Sequence, residues 1–450
     1  MVIDDLAQYA VRQVAQGLPS HANHAAKRAL VDWFSAQLPG TRIQPATSLM
    51  AAHRHELGVG ASSLPGLQTS AMPATAAWIN GSVSHAVEFD DIFRDAIYHP
   101  GCPTVAAALA VAEHLGASGR QLLEAITVGY EVSTRIGVAV QPSHYKYFHT
   151  TGTVGCFGAA AAAAVLLSPQ AEVTAHALAT SATFASGLQQ AFRSDAMSKA
   201  LHAGHAAWVG VTAGFGAAHG VTGVRDILEG AAGFGAALAD ADAVDWSKAT
   251  EGLGERFNID SMTVKNHGCC GHTFASIDGL LALRAQHGFA AADIERVDIA
   301  TYATAVEVAG IREPQSPFEC KFSIPYAVAH AACHGSVRMA AFESERIFDA
   351  QVRELMPRIR LQADAELSRG FPNMRAARVR VLLLDGRAFE HFQPHRIGDP
   401  EAPLSDQQVS EKFMELSAPV LSNERAQRLL EQLWSVDALA DVRALQLQRL

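Results

Sequence analysis

Apolar residues recur at helical spacing through the first half of the chain. Leu6, Tyr9, Ala10 and Val14 form one stripe across residues 4–16, and Ala26, Leu30, Val31 and Phe34 form another across 20–37. The same period predicts helices near 75–88, 103–115, 119–140, 151–167, 173–191 and 198–218. Several are dense in Ala and Gly, most of all Gly158–Ala164. Small side chains let helix axes approach closely, so this texture predicts a bundle with buried central helices.

The period changes after about residue 260. Ile294–Tyr302 and Arg375–Leu384 alternate as strands do, and Asp385-Gly386 predicts a tight turn into a third strand at Arg387–Phe392. Helical periods near 272–286 and 323–335 fall between these strands. From Leu404 onward, LSDQQVSEKFMEL and NERAQRLLEQLW are helical again, with Ser405 and Gln408 at the spacing of a capping box. The expected fold is mostly α with an α+β second domain. Residues 1–260 and 400–450 would build a large all-helical domain from both chain ends, and residues 261–399 a smaller inserted α+β lid domain.

Composition narrows the function classes. The 450 residues, 49% of them hydrophobic, are ample for a large core, and a net charge of −10 argues against a nucleic-acid partner, which calls for a basic stripe. The six cysteines lack the spacing of a zinc or redox site, so a reducing compartment is expected. The N-terminal MVIDDLAQYA has no basic leader pattern, and Val154–Leu167 is short for a bilayer span. Together these predict a cytoplasmic protein with no membrane partner.

Five segments are unusually polar for their surroundings. His85-Ala-Val-Glu88-Phe-Asp90-Asp91 precedes His99-Pro-Gly; taken alone, the acids fit a solvated helix end better than a site. Tyr145-Lys146-Tyr-Phe-His149-Thr-Thr-Gly packs proton-transfer groups before a helix N-terminus, an end that favours anions, although a capped start with a surface histidine gives the same pattern. Ser198-Lys199-Ala-Leu-His202 places Lys199 and His202 on one helix face, which is equally the pattern of an exposed polar stripe. His202-x-x-His205 has no third ligand at recognisable spacing, so no metal is expected. Lys265-Asn-His267-Gly-Cys-Cys-Gly-His272 stands at the expected domain boundary, and Lys321-Phe-Ser-Ile-Pro-Tyr326 opens an apolar helix. There is no phosphate loop, nucleophile elbow or dinucleotide fingerprint.

The ordered set HAVEFDD, HPG, FHTTGTVG, SKALHAGHAAWVG, KNHGCCGHTFASID, KFSIPYAVA and IGDPEAPLSDQQVSEKF resembles the MmgE/PrpD family from about residue 80 to 415. The resemblance implies cofactor-independent proton transfer next to a carboxylate of a small di- or tricarboxylate, by a homodimer. The activity would be that of a lyase, either a dehydratase or a decarboxylase. The alternatives are an epimerase of an iminodisuccinate-like dicarboxylate, or a catalytically silent binding or dimerisation scaffold. Carried over by position, the implied pocket residues are Asp91, His99, His149, Lys199 and His272, with Lys265 near the rim. Lys199 would stabilise the developing negative charge. His149 or Tyr145 would act as base and His99 or His272 as acid, while Asp91, His202, Lys265 and Lys146 would bind substrate. Two departures from relatives stand out: the histidine lies at 272 where many have it at the place of Phe274, and one extra residue separates Asp91 from His99.

Overall fold

The computed structural model describes residues 1–192, 196–371 and 373–450. The chain folds as two compact units, one of residues 1–263 and 405–450, the other of 264–404. The first is helical apart from a short antiparallel hairpin, β1 (Ser62–Leu64) and β2 (Thr69–Ala71).

At its centre lies Gly155–Leu167, every residue of which is buried as far as Ala164. Glycines on the neighbouring Ser198–Ala218 helix make the close packing possible. A Cβ at Gly210 would overlap Ala159, and one at Gly204 would overlap Trp78 and Ser82 of the Pro73–Ser84 helix. Together with Thr150–Thr153, the central helix gives an 18-residue window long and apolar enough to cross a membrane, longer than the run read from the sequence. With 83% of that window buried inside the unit, core packing accounts for its composition.

Two helices stop earlier than their periodicity predicts. The one expected over 75–88 ends at Ser84, where the chain turns into the polar HAVEFDD stretch and Glu88 takes a left-handed φ of 63°. The one expected over 173–191 ends at Ala182, and the chain then loops back so that Gly187 O accepts from His149 N at 2.8 Å. In the second place a tertiary contact overrides local propensity.

The chain ends meet across a buried ion pair. Lys412, on the Asp406–Ser417 helix, donates to Asp32 Oδ1 at 2.6 Å and to the carbonyl of Phe89 at 2.9 Å. One C-terminal lysine thereby pins the backbone that carries Asp90 and Asp91. Ser405 and Gln408 form the reciprocal capping box that starts this helix.

The second unit holds a four-stranded sheet in the order β4 (Ile359–Ala363), β3 (Ile294–Thr301), β5 (Ala377–Leu383), β6 (Ala388–Gln393). β3 runs parallel to β4 and antiparallel to β5, and β5–β6 is the hairpin turned by Asp385-Gly386, with Gly386 at φ 87°. The helices Phe274–His287 and Ile324–His334 supply buried side chains to the same core as β3 and β5. The fold is mostly α with a small α+β part. β4 carries no clear alternation of its own: only Ile359 is buried, and pairing with β3 holds it in place.

Candidate active site

In the first unit, three polar segments spread over more than 100 residues converge on one cluster of imidazoles. His85 follows the Pro73–Ser84 helix as its C-cap residue. Asp90 follows within the turn that Lys412 pins. Residues 92–98 then form a tight hairpin, with Phe93 and Tyr98 bridged and Ile97 at φ 48°. A β-branched residue in the left-handed region is strained, and such strain is stored most often at functional sites.

Asp90 Oδ2 lies 2.7 Å from His85 Nδ1 and 2.9 Å from His99 Nδ1, with Asp90 and His85 fully buried and His99 partly so. The His85 ring stacks on His149 at 5.5 Å between centroids, and His99 lies edge-on to His149 at 6.5 Å. Expected to be solvated, the HAVEFDD acids are instead in the interior; the surface reading is overturned because the apolar helices close over the turn. Asp91 accepts from Tyr130 OH at 2.7 Å and from Gly101 N at 2.9 Å, where it anchors the start of the Gly101–Leu115 helix. Burial drives its carboxyl up to about 7, with the Tyr130 hydrogen bond opposing.

His149 sits just ahead of Thr150–Thr153, and its Nδ1 lies 3.0 Å from Nδ1 of His202. Burial pushes the His149 imidazole well below its ordinary value, reinforced by the charges of His85 and Lys199; burial likewise lowers His202 to about 4. Both are therefore neutral near pH 7. One must donate through Nδ1–H and the other accept, so the two rings hold opposite tautomers. Lys199, one turn before His202 on the Ser198–Ala218 helix, forms an ion pair with Glu88, and both are largely buried. The face shared by Lys199 and His202 thus points at the same cluster. An open groove of about 560 Å³, lined in part by Ser186–Leu188, Ser198 and His205, reaches His202.

The remaining residues of the tyrosine-rich loop lie differently. Tyr145 is half-buried within the Ser143–Lys146 turn, and Lys146 is exposed, its Nζ 4.9 Å from the ring centroid of Tyr147. His144, which sequence reasoning passed over, is the buried member of this loop. It bonds Thr153 Oγ1 at 2.7 Å and the carbonyl of Leu238 at 2.8 Å. Sequence reasoning names His85, Glu88 and Asp90 in the first polar segment but does not assign them to the pocket; their signal is the density of polar residues in an apolar stretch. Tyr130 lies in mid-helix and gives no local signal.

In the second unit, the KNHGCCGH loop is tied to two other polar segments. Cys270 N donates to Lys321 O at 2.9 Å, and His267 Nε2 lies 2.8 Å from Asp278 Oδ1, whose other oxygen accepts from Ile397 N. Lys265 is buried here. His272 Nδ1 lies 2.6 Å from Tyr302 OH, and burial lowers His272 to about 3 while raising the phenol of Tyr302. The phenol therefore donates and His272 carries its proton on Nε2. A neutral imidazole of this kind is a hydrogen-bond donor rather than a ready source of a full proton.

Residues 4–247 match the MmgE/PrpD N-terminal domain and residues 267–437 the MmgE/PrpD C-terminal domain. The chain belongs to the MmgE/PrpD family. Among curated proteins it is similar to cis-aconitate decarboxylase of Homo sapiens, 28% identical over 381 residues, covering 82% of this chain and 78% of the human protein. The same enzyme of Mus musculus is 27% identical over 383 residues, covering 82% and 77%. A cis-aconitate decarboxylase-like protein, oryM, of Aspergillus oryzae is 25% identical over 464 residues, covering 98% and 95%.

Proposed function

We propose that this protein is a lyase that moves a proton next to a carboxylate of a small di- or tricarboxylate, with dehydration or decarboxylation as the outcome. The observation that carries the reading is a neutral, buried His149 placed between a lysine ammonium and a carboxylate-anchored His99. The relatives named as decarboxylases support the substrate class.

A proton α to a carboxylate is weakly acidic, so its removal needs a neutral base and a nearby positive charge for the carbanion-like state. His149 is neutral and Lys199 supplies the charge. Glu88 now occupies Lys199, and a substrate carboxylate would take its place there. In decarboxylation the C–C bond breaks, CO₂ leaves, and the electron pair left on carbon takes a proton from His99. In dehydration His149 removes the α proton, and the β hydroxyl leaves as water after His99 protonates it. A second reading, epimerisation of an iminodisuccinate-like dicarboxylate, is favoured by the two imidazoles 6.5 Å apart, which suit removal and return of a proton at two sites.

The reading extends to a homodimer at work in the cytoplasm without metal. Phe184, Met197 and Trp208 are exposed apolar side chains on the first unit, of the kind a second copy would cover, and all six cysteines are free thiols. Light scattering should give twice the 47.8 kDa chain mass. A thermal-shift panel of di- and tricarboxylates tests the function: stabilisation by a compound that is then consumed is expected, and a panel without any binder would oppose it.

A further inference from the structure

His85 Nδ1, Asp90 Oδ2 and His99 Nδ1 all lie within 4.8 Å of one another, and substrate binding does not explain why a carboxylate is set between two imidazoles. Asp90 Oδ2 is the shared corner, 2.7 Å from His85 Nδ1 and 2.9 Å from His99 Nδ1. The first separation is a hydrogen bond. The second is a close approach without hydrogen-bond alignment, so a proton accounts for one edge and not for the other. Metal–ligand bonds of about 2.1 Å put neighbouring ligands roughly 3.4 Å apart around a tetrahedral ion, but about 3.0 Å apart around a six-coordinate one. Both edges at Asp90 match the six-coordinate spacing. The two nitrogens lie within 4.8 Å, a span that contains the roughly 3.0 Å of adjacent positions and the roughly 4.2 Å of opposite ones.

The three ligands are held in place by the fold itself. His85 is the C-cap of the Pro73–Ser84 helix, Lys412 holds the carbonyl of Phe89 one residue before Asp90, and Thr151 Oγ1 accepts from His99 N at 3.3 Å. His85 and Asp90 are buried, and His99, with 17% of its side chain exposed, leaves a way in. We propose that His85, Asp90 and His99 form a site for a six-coordinate divalent transition ion, such as Mn²⁺, Co²⁺ or Ni²⁺, and that this ion switches the enzyme off. Two imidazoles and one carboxylate are a donor set that such ions accept, with the remaining positions left for water. The entering ion takes the place of the His85 proton at Nδ1, which passes to Nε2, and it binds His99 through Nδ1. His99 then keeps a single proton, on Nε2, and a neutral metal-bound imidazole does not give up that proton as an imidazolium does. The site rests on geometry alone; its inhibitory effect rests on the proposed role of His99 as proton donor.

The full chain, treated with a chelator and dialysed free of it, is titrated calorimetrically with each of the three ions alone. One tight equivalent per chain is expected, with the weak visible bands of six-coordinate Co²⁺ rather than the intense bands of a tetrahedral ion. His99→Gln, which removes a partly exposed ligand and should keep the parent melting temperature, and Asp90→Asn should each weaken binding more than about 100-fold, beyond the cost of losing an outer-shell partner. His202→Gln, which alters a neighbouring histidine outside the triad, should leave binding unchanged. Absence of binding, tetrahedral bands, binding that survives in folded His99→Gln, or binding lost in His202→Gln overturns the site. The second test uses a substrate found by the panel, with free ion in excess of that carboxylate. Saturation should lower kcat by roughly 10²-fold or more, the contribution of a general acid, and chelator should restore it. Undiminished or increased turnover overturns the switch. Because binding is read without substrate, a wrong substrate class leaves the titration intact, and a failed titration leaves the proposed chemistry standing.

Discussion

His149 and His202 meet Nδ1 to Nδ1 at 3.0 Å, and neither carries a charge near neutrality. Two neutral rings at that distance share one proton, and protonating both would set two buried positive charges against each other. On the proposed function the pair is a base kept ready by its surroundings, and its pH behaviour follows. His202 has a folded value of about 4 against the ordinary 6.5, so the unfolded chain binds the proton first as pH falls. The stability from its neutral form is complete above about 6.5 and is lost as pH falls from there toward 4. Denaturation midpoints should decline over that window, and less steeply in His202→Gln. Equal slopes in the two proteins would contradict the assignment.

Activity should follow the same logic. A base that stays neutral below the ordinary imidazole value predicts that the acidic limb of kcat/KM lies below about pH 6.5, after correction for ionisation of the substrate. A pH–rate profile with its acidic limb at or above that value would show that His149 is not the base.

Lys199 and Glu88 form a mostly buried pair, 20% and 16% exposed. Lys199→Met should reduce kcat/KM on the order of 10²–10³-fold, the loss expected for one electrostatic stabiliser. It should also destabilise the protein by roughly 1–3 kcal/mol, because Glu88 is left without its cation. Adding Glu88→Gln should restore the melting temperature but not the rate. Recovery of both would make the pair purely structural.

Lys412 and Asp32 are 0% and 2% exposed and bridge the two chain ends. Removing one partner strands the other, so Lys412→Met should destabilise by about 3–5 kcal/mol in chemical denaturation. Lys412→Met with Asp32→Asn should recover much of that loss. Activity should stay below that of the parent in the double variant, because Phe89 has still lost its donor. Full activity would remove the link between this pair and the Asp90 turn.

Gly210 lies where the Ser198–Ala218 helix crosses the central helix, and an added methyl would overlap Ala159. Gly210→Ala should destabilise by about 1–3 kcal/mol through overpacking, despite the better helix propensity of alanine. An increase in melting temperature would show that the helices can part there without penalty.

Much of this was legible in the sequence where chemistry is local. Periodicity located the long helices, Asp385-Gly386 the hairpin, and Ser405 with Gln408 the cap. The ordered motifs were enough to identify the family, as the domain matches show. What the sequence obscured is set by tertiary contacts. β4 exists through its pairing with β3, and the helix after residue 171 stops because Gly187 bonds back to His149. In the candidate site, Lys199 and His202 were visible as a helix face, but the burial of His85, Glu88 and Asp90 depends on helices closing over them. No spacing rule predicts that Lys412 pins their turn from more than 300 residues away. Tyr145 and Lys146 drew attention by composition, whereas burial picked out His144 beside them.

On the proposed function, this site exchanges a proton at carbon next to a carboxylate. Proton NMR in D₂O, with each di- or tricarboxylate that stabilises the protein, measures it directly. A lyase predicts a substrate that disappears while deuterium enters the α position of the product, or a new vinyl signal where water is lost. Deuterium exchange without net product would shift the reading to epimerisation on the same residues. Substrates that bind yet keep every C–H signal unchanged, with no product formed, would contradict proton transfer at this site altogether.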